Sequence, residues 1–142
     1  MKKVVFSLLL VFSVAVMTSC QKIETNTESS TKNKILGTWE IVSLKSGNSQ
    51  YIYLQKGYLL SFWDMPFFEG HNLTVYGNDD YLEGWYRVSD SRLMMNDFKA
   101  IYELEIEKLN DTKMSLSGKY WNEDYEVGSY YPIEMELERV VK

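Results

Sequence analysis

Tyr102, Leu104 and Ile106 alternate with Glu103, Glu105 and Glu107, and Ile133, Met135 and Leu137 alternate with Glu134, Glu136 and Glu138. Between these two stretches, Met114, Leu116, Gly118 and Tyr120 alternate with Ser115, Ser117 and Lys119. A period of two with one apolar side is the pattern of antiparallel strands that face a core on one side and water on the other. No segment of 35–142 shows a helical period across a window of about 11 residues. The domain is therefore expected to be all-β.

Eight strand-like runs are expected, at 36–45, 58–63, 72–76, 82–88, 92–96, 100–109, 113–121 and 131–140. The links carry turn chemistry: Gly77-Asn78-Asp79-Asp80, Ser89-Asp90-Ser91 and Asn110-Asp111. Asn, Asp and Gly tolerate the backbone geometry that tight hairpins need. Nearly all links are of hairpin length, which builds up-and-down topology, and closing the sheet removes the edges an open sheet would expose. The expected architecture is an eight-stranded antiparallel up-and-down β-barrel over 35–142. In that order the run at 113–121 lies between the two Glu-bearing runs and keeps like charges from facing one another.

The 142 residues amount to one domain. Aromatics are abundant, with 11 Tyr, 6 Phe and 4 Trp, which suits half-buried strands. Formal charge is -5, and becomes -7 without residues 1–19, which hold Lys2 and Lys3 and no acid. An acidic surface argues against nucleic acid or anionic lipid headgroups as partners. The one cysteine, Cys20, excludes an intrachain disulfide.

Lys2-Lys3 precede an apolar run from Val4 to Met17, broken by Ser7 and Ser13 and followed by Thr18-Ser19-Cys20. The run is short for a membrane span and fits the apolar region of a secretory signal. Met17-Thr18-Ser19-Cys20 resembles the lipobox of bacterial lipoproteins. That resemblance implies cleavage after residue 19, acylation of Cys20, and tethering in the cell envelope, with Gln21 (not Asp) favouring the outer membrane. Residues 20–34 are then the lipidated Cys and a disordered, polar linker, with a mean reach of roughly 20 Å.

Leu36-Gly37-Thr38-Trp39 resembles the Gly-x-Trp signature that opens the first strand of lipocalins. The segments Glu83-Gly84-Trp85-Tyr86-Arg87-Val88, Arg92-Leu93-Met94-Met95 and Met135-Glu136-Leu137-Glu138-Arg139-Val140 are similar to strands of bacterial lipocalin-like lipoprotein domains. The resemblance implies a lipocalin-like barrel whose Trp39 plugs the closed end, with Arg139 across its ring. Gly37, Trp39 and Arg139 are thus a structural signature, and ligand carriage becomes the leading expectation.

A small, largely apolar or aromatic ligand is expected in or at the mouth of the barrel, against Phe62, Tyr86, Tyr102 and Tyr120. Pro66 is expected to end the second strand near Trp63, leaving Met65–Gly70 as a loop with Phe67 and Phe68 at one rim. Trp121 to Tyr131 forms a second long aromatic connection, placed by strand parity at the same rim. The alternative is a filled barrel that binds a glycan or an envelope protein through these loops, since exposed Trp and Tyr are frequent interface anchors. No cofactor, metal or catalytic set is expected. His71 is the only histidine, short of the ligands zinc takes even with Asp64 or Glu69. Asp79-Asp80 reads as a turn, no nucleophile motif occurs, and an enzyme is not expected.

Overall fold

A computed structural model describes residues 30–48, 52–122 and 129–141. The signal region 1–19, Cys20 and the linker to residue 29 lie outside the described residues. Eight strands form a closed antiparallel barrel in sequence order: β1 Gly37–Ser46, β2 Leu59–Phe67, β3 Gly70–Tyr76, β4 Tyr81–Ser89, β5 Arg92–Asn96, β6 Ile101–Leu109, β7 Lys113–Trp121 and β8 Tyr131–Arg139. Closure is made by β1 against β8, with Trp39 opposite Arg139 and Ile41 opposite Leu137. Val140 adds a bond from its N–H to the Thr38 carbonyl at 2.9 Å.

Alternation sorts the side chains. Ile133, Met135 and Leu137 point into the core while Glu134, Glu136 and Glu138 are exposed. On the outer face β7 separates the two acidic rows, with Glu103 opposite Lys119, Glu105 opposite Ser117, and Ser115 opposite Glu136. Lys119 Nζ stands 3.3 Å from Glu103, and Ser115 donates to Glu136 at 2.6 Å. This barrel is apolar inside and charged outside, the reverse of a membrane-spanning barrel.

Tight closure needs places where two backbones meet. A side chain at Gly84 would overlap the Asn96 carbonyl, and one at Gly118 would overlap the Glu103 carbonyl. Glycine at such points lets a strand bend sharply.

Two local expectations are corrected. Pro66 does not end β2, which continues to Phe67 and turns back through Phe68 and Glu69. Pro66 is accommodated by a bulge: between the pairs Phe62–Leu73 and Pro66–His71, three β2 residues face one on β3, so the missing N–H sits beside an irregularity. The linker is also not disordered up to residue 34, because residues 30–35 are helical. Ile35 is fully buried in the core, and the Lys34 and Leu36 carbonyls receive the Arg139 guanidinium at 2.5 and 2.6 Å. A cation on carbonyls at the C-terminal end stabilises so short a helix.

Candidate functional site

Strands of a closed antiparallel barrel alternate in direction, so connections after odd-numbered strands leave from one end and those after even-numbered strands from the other. The β2–β3 turn and the β7–β8 connection are therefore at opposite ends, which corrects the expectation of a shared rim. The chain enters β1 at the end of the β2–β3 turn, here called proximal. The β7–β8 connection is distal.

The four side chains expected to line a cavity are core residues. Phe62, Tyr86, Tyr102 and Tyr120 are at most 1% exposed. Phe62 and Tyr86 meet edge to face at 5.0 Å, and Tyr102 and Tyr120 lie 6.0 Å apart. Each hydroxyl is matched by the chain itself. Tyr86 donates to the Trp63 carbonyl at 3.1 Å, Tyr102 to Asp97 Oδ2 at 3.0 Å, and Tyr120 to the Asn48 carbonyl. The Asn48 N–H also bonds to the Tyr120 oxygen at 3.2 Å. A buried Tyr settled in this way contributes packing and needs no ligand.

Apolar side chains are buried towards both ends. Trp39 is fully buried at the proximal end and donates its indole N–H to the Ile35 carbonyl at 2.8 Å. Arg139 lies 4.2 Å above its ring. A side chain at Gly37 would come within 2.8 Å of that guanidinium. At the distal end Leu54 and Ala100 are buried within the same core, with Tyr53 packed against it. An eight-stranded barrel is just wide enough to be filled by side chains or to hold one small ligand. These side chains lie in its interior.

Asp97 was not anticipated by sequence reasoning, and it organises the distal end. Its Oδ1 accepts the N–H groups of Lys99 and Ala100 at 2.9 and 2.8 Å, while Oδ2 accepts the Tyr102 hydroxyl. Burial pushes its carboxyl above the usual range, opposed by those hydrogen bonds and by the Lys99 charge. Asn96 and Asp97 side chains fold back on the turn they precede, a local signature that was legible in Asn96-Asp97-Phe98.

The remaining aromatics are on the outside. Trp63 is 45% exposed, and its indole N–H bonds to Thr74 Oγ1 at 3.2 Å across the wall. Phe68, 76% exposed, stands 4.8 Å from Phe67 and 5.2 Å from Phe98. Phe98 belongs to the β5–β6 connection of the distal end, so the hairpin tip leans along the outer wall to reach it. Trp85 faces outward yet is buried, with the Arg87 guanidinium 5.0 Å over its ring. At the distal end, Trp121 meets Tyr130 edge to face at 5.3 Å, and Lys119 Nζ lies 4.6 Å over Tyr130. Tyr76 and Tyr81 form a second exposed pair there.

His71 Nδ1 is 3.7 Å from Asp64 Oδ1, longer than a hydrogen bond, and Lys32 Nζ takes that oxygen at 2.7 Å. Glu69 faces Arg87 at 3.4 Å. Among the described residues no three His, Cys, Asp or Glu side chains gather in a metal-binding group. Two hollows bounded by described residues are both on the outer wall. One, of about 620 Å³, is lined by Arg92, Met94, Glu103, Glu105, Ser117 and Lys119 among others. The other, of about 360 Å³, adjoins Thr31, Lys34 and Glu107. No protein-family model and no curated protein matches the chain.

Proposed function

We propose that this chain is a bacterial lipoprotein of the lipocalin-like type, tethered in the envelope through Cys20. Its filled barrel acts as a rigid binding module and not as a carrier. The observation that supports this is the state of the inward aromatics: Phe62, Tyr86, Tyr102 and Tyr120 are buried, and the three tyrosine hydroxyls are bonded within the chain. The lipobox-like Met17-Thr18-Ser19-Cys20 supports the tether, and the Trp39–Arg139 stack supports the lipocalin-like type.

Binding then falls to exposed aromatics. The distal rim, remote from the tether, offers Trp121 and Tyr130 beside Lys119. A glycan or a protein of the envelope is the partner class this chemistry suits, since a half-exposed Trp or Tyr stacks on a sugar ring or anchors an interface.

Native mass spectrometry of protein extracted from the envelope tests the filled barrel. The expected species is the acylated chain alone, and a co-purified small apolar molecule would overturn it. Metabolic labelling with a fatty acid, lost in Cys20→Ala, tests the tether. A photoreactive residue in place of Tyr130 tests the partner, with cross-links to polysaccharide or to one envelope protein as the expected product. Absence of any specific cross-link would sink the distal-rim assignment.

A further inference from the structure

The β2–β3 hairpin carries a surface unlike the distal rim. Trp63, Met65, Phe68 and Phe98 are each 45% exposed or more, with Phe67 between them. Tyrosine is absent from this group, whereas the distal rim is mainly tyrosine. Phe68 and Phe98 also adopt left-handed backbone angles, with φ of 50° and 63°. A bulky residue there costs about 1 kcal/mol or more, and Gly or Asn would fill either turn without strain. Two strained Phe residues, from connections at opposite ends, bring their rings together in water.

The surroundings identify the occupant. Lys32 is held to Asp64 at 2.7 Å, which fixes the entering chain beside Trp63 and Met65. Cys20 precedes residue 30 by ten positions, so the covalent chain keeps it within about 36 Å of that point. The two carboxylates flanking the patch are matched, Asp64 by Lys32 and Glu69 by Arg87. An apolar, aromatic, charge-balanced surface next to a lipid anchor has the composition of a bilayer interface contact.

We infer that the β2–β3 hairpin, with Phe98, rests on the lipid surface and holds the barrel wall against the membrane. This rests on the proposed acylation of Cys20. The Trp121–Tyr130 part of the distal rim is left free for its partner.

The test uses the full chain with Phe68→Cys, purified from membranes and reacted with a thiol-specific fluorophore sensitive to its surroundings. The protein is reconstituted into phosphatidylethanolamine–phosphatidylglycerol vesicles, with and without nitroxide-labelled lipid. Cys20 is the only native cysteine, so an acylated chain takes one label and an unacylated chain takes two. The expected result is one label per chain and emission from position 68 quenched several-fold more by nitroxide lipid than emission from a Tyr81→Cys control at the distal end. One label with position 68 as open to an aqueous quencher as position 81 would overturn the inference and leave the anchor intact. A label shielded from water but not quenched by nitroxide lipid would also overturn it, in favour of a protein partner or a second copy of the chain. Two labels per chain would sink the anchor and the inference together.

Discussion

The Arg139 guanidinium lies 4.2 Å above the Trp39 ring while donating to three carbonyls, those of Lys34, Leu36 and Asp111. One planar cation thereby joins the entering helical turn, the first strand, the β6–β7 turn and the last strand. Lysine cannot reproduce this, because an ammonium on a flexible stem has no rigid fork of donors. Arg139→Ala is expected to cost about 2–4 kcal/mol, with Arg139→Lys recovering less than half. Urea unfolding followed by Trp fluorescence measures both. Equal stability of the Lys variant and the parent would show that charge alone matters.

Asp97 gives the barrel a pH response of identifiable sign. Its folded-state pKa is raised by burial, so the native state holds the proton more tightly than the unfolded chain. Its contribution is fully present below the ordinary carboxylate pKa and is lost as pH rises through the folded value. Asn can still accept the Lys99 and Ala100 N–H bonds and carries no charge. Its Nδ2 cannot accept the Tyr102 hydroxyl as Oδ2 does, so Asp97→Asn is expected to be less stable than the parent near pH 4, with the gap closing as pH rises toward 7. Denaturation midpoints across that range check it, and a constant difference between the two proteins would contradict it.

At the alkaline end, burial, with a lesser effect of the Asp64 charge, pushes the Tyr86 hydroxyl up to about 12. Burial, with the nearby Asp97, raises Tyr102 well above its usual range. Both folded values exceed the unfolded one, so stability is lost as pH climbs from about 10 through these values. Absorbance titration of tyrosinate is expected to show a late, cooperative step that coincides with unfolding. Smooth ionisation near pH 10 would contradict the burial of these hydroxyls.

Two glycines separate steric from conformational cost. At Gly118 a methyl group would overlap the Glu103 carbonyl, so the β6–β7 ladder must part. Gly57 has φ of +90° with open space around it. Gly118→Ala is expected to lose about 2–4 kcal/mol, and Gly57→Ala only about 1 kcal/mol. Thermal melts of the two variants give the comparison, and similar losses would argue against a backbone collision at 118.

Phe68→Gly relieves the left-handed strain and gives up two ring contacts, terms of similar size and opposite sign. Its stability is expected to stay within about 1 kcal/mol of the parent while hairpin contact with vesicles is weakened. Calorimetry measures the first, and nitroxide-lipid quenching of Trp63 fluorescence the second. Undiminished quenching would remove Phe68 from the membrane contact.

What local chemistry could settle was legible in the sequence. Period-two alternation and Asn, Asp or Gly at the turns act within a few residues, and they placed all eight strands and the acidic rows on either side of β7. Pro66 misled because its effect depends on a bulge opposite β3, which no local pattern announces.

The fate of the interior was beyond that reach. An inward-facing Tyr in an alternating run looks the same whether it lines a cavity or fills one. The difference lies in whether its hydroxyl finds a partner, and Tyr120 finds Asn48 from 72 residues away while Tyr86 finds Trp63 from 23. Chain composition thus determined an all-β meander of this length with one apolar face. Only the tertiary structure decided that these aromatic side chains would be buried with their hydroxyls partnered inside, and that the Phe68 and Phe98 rings would meet on the outside.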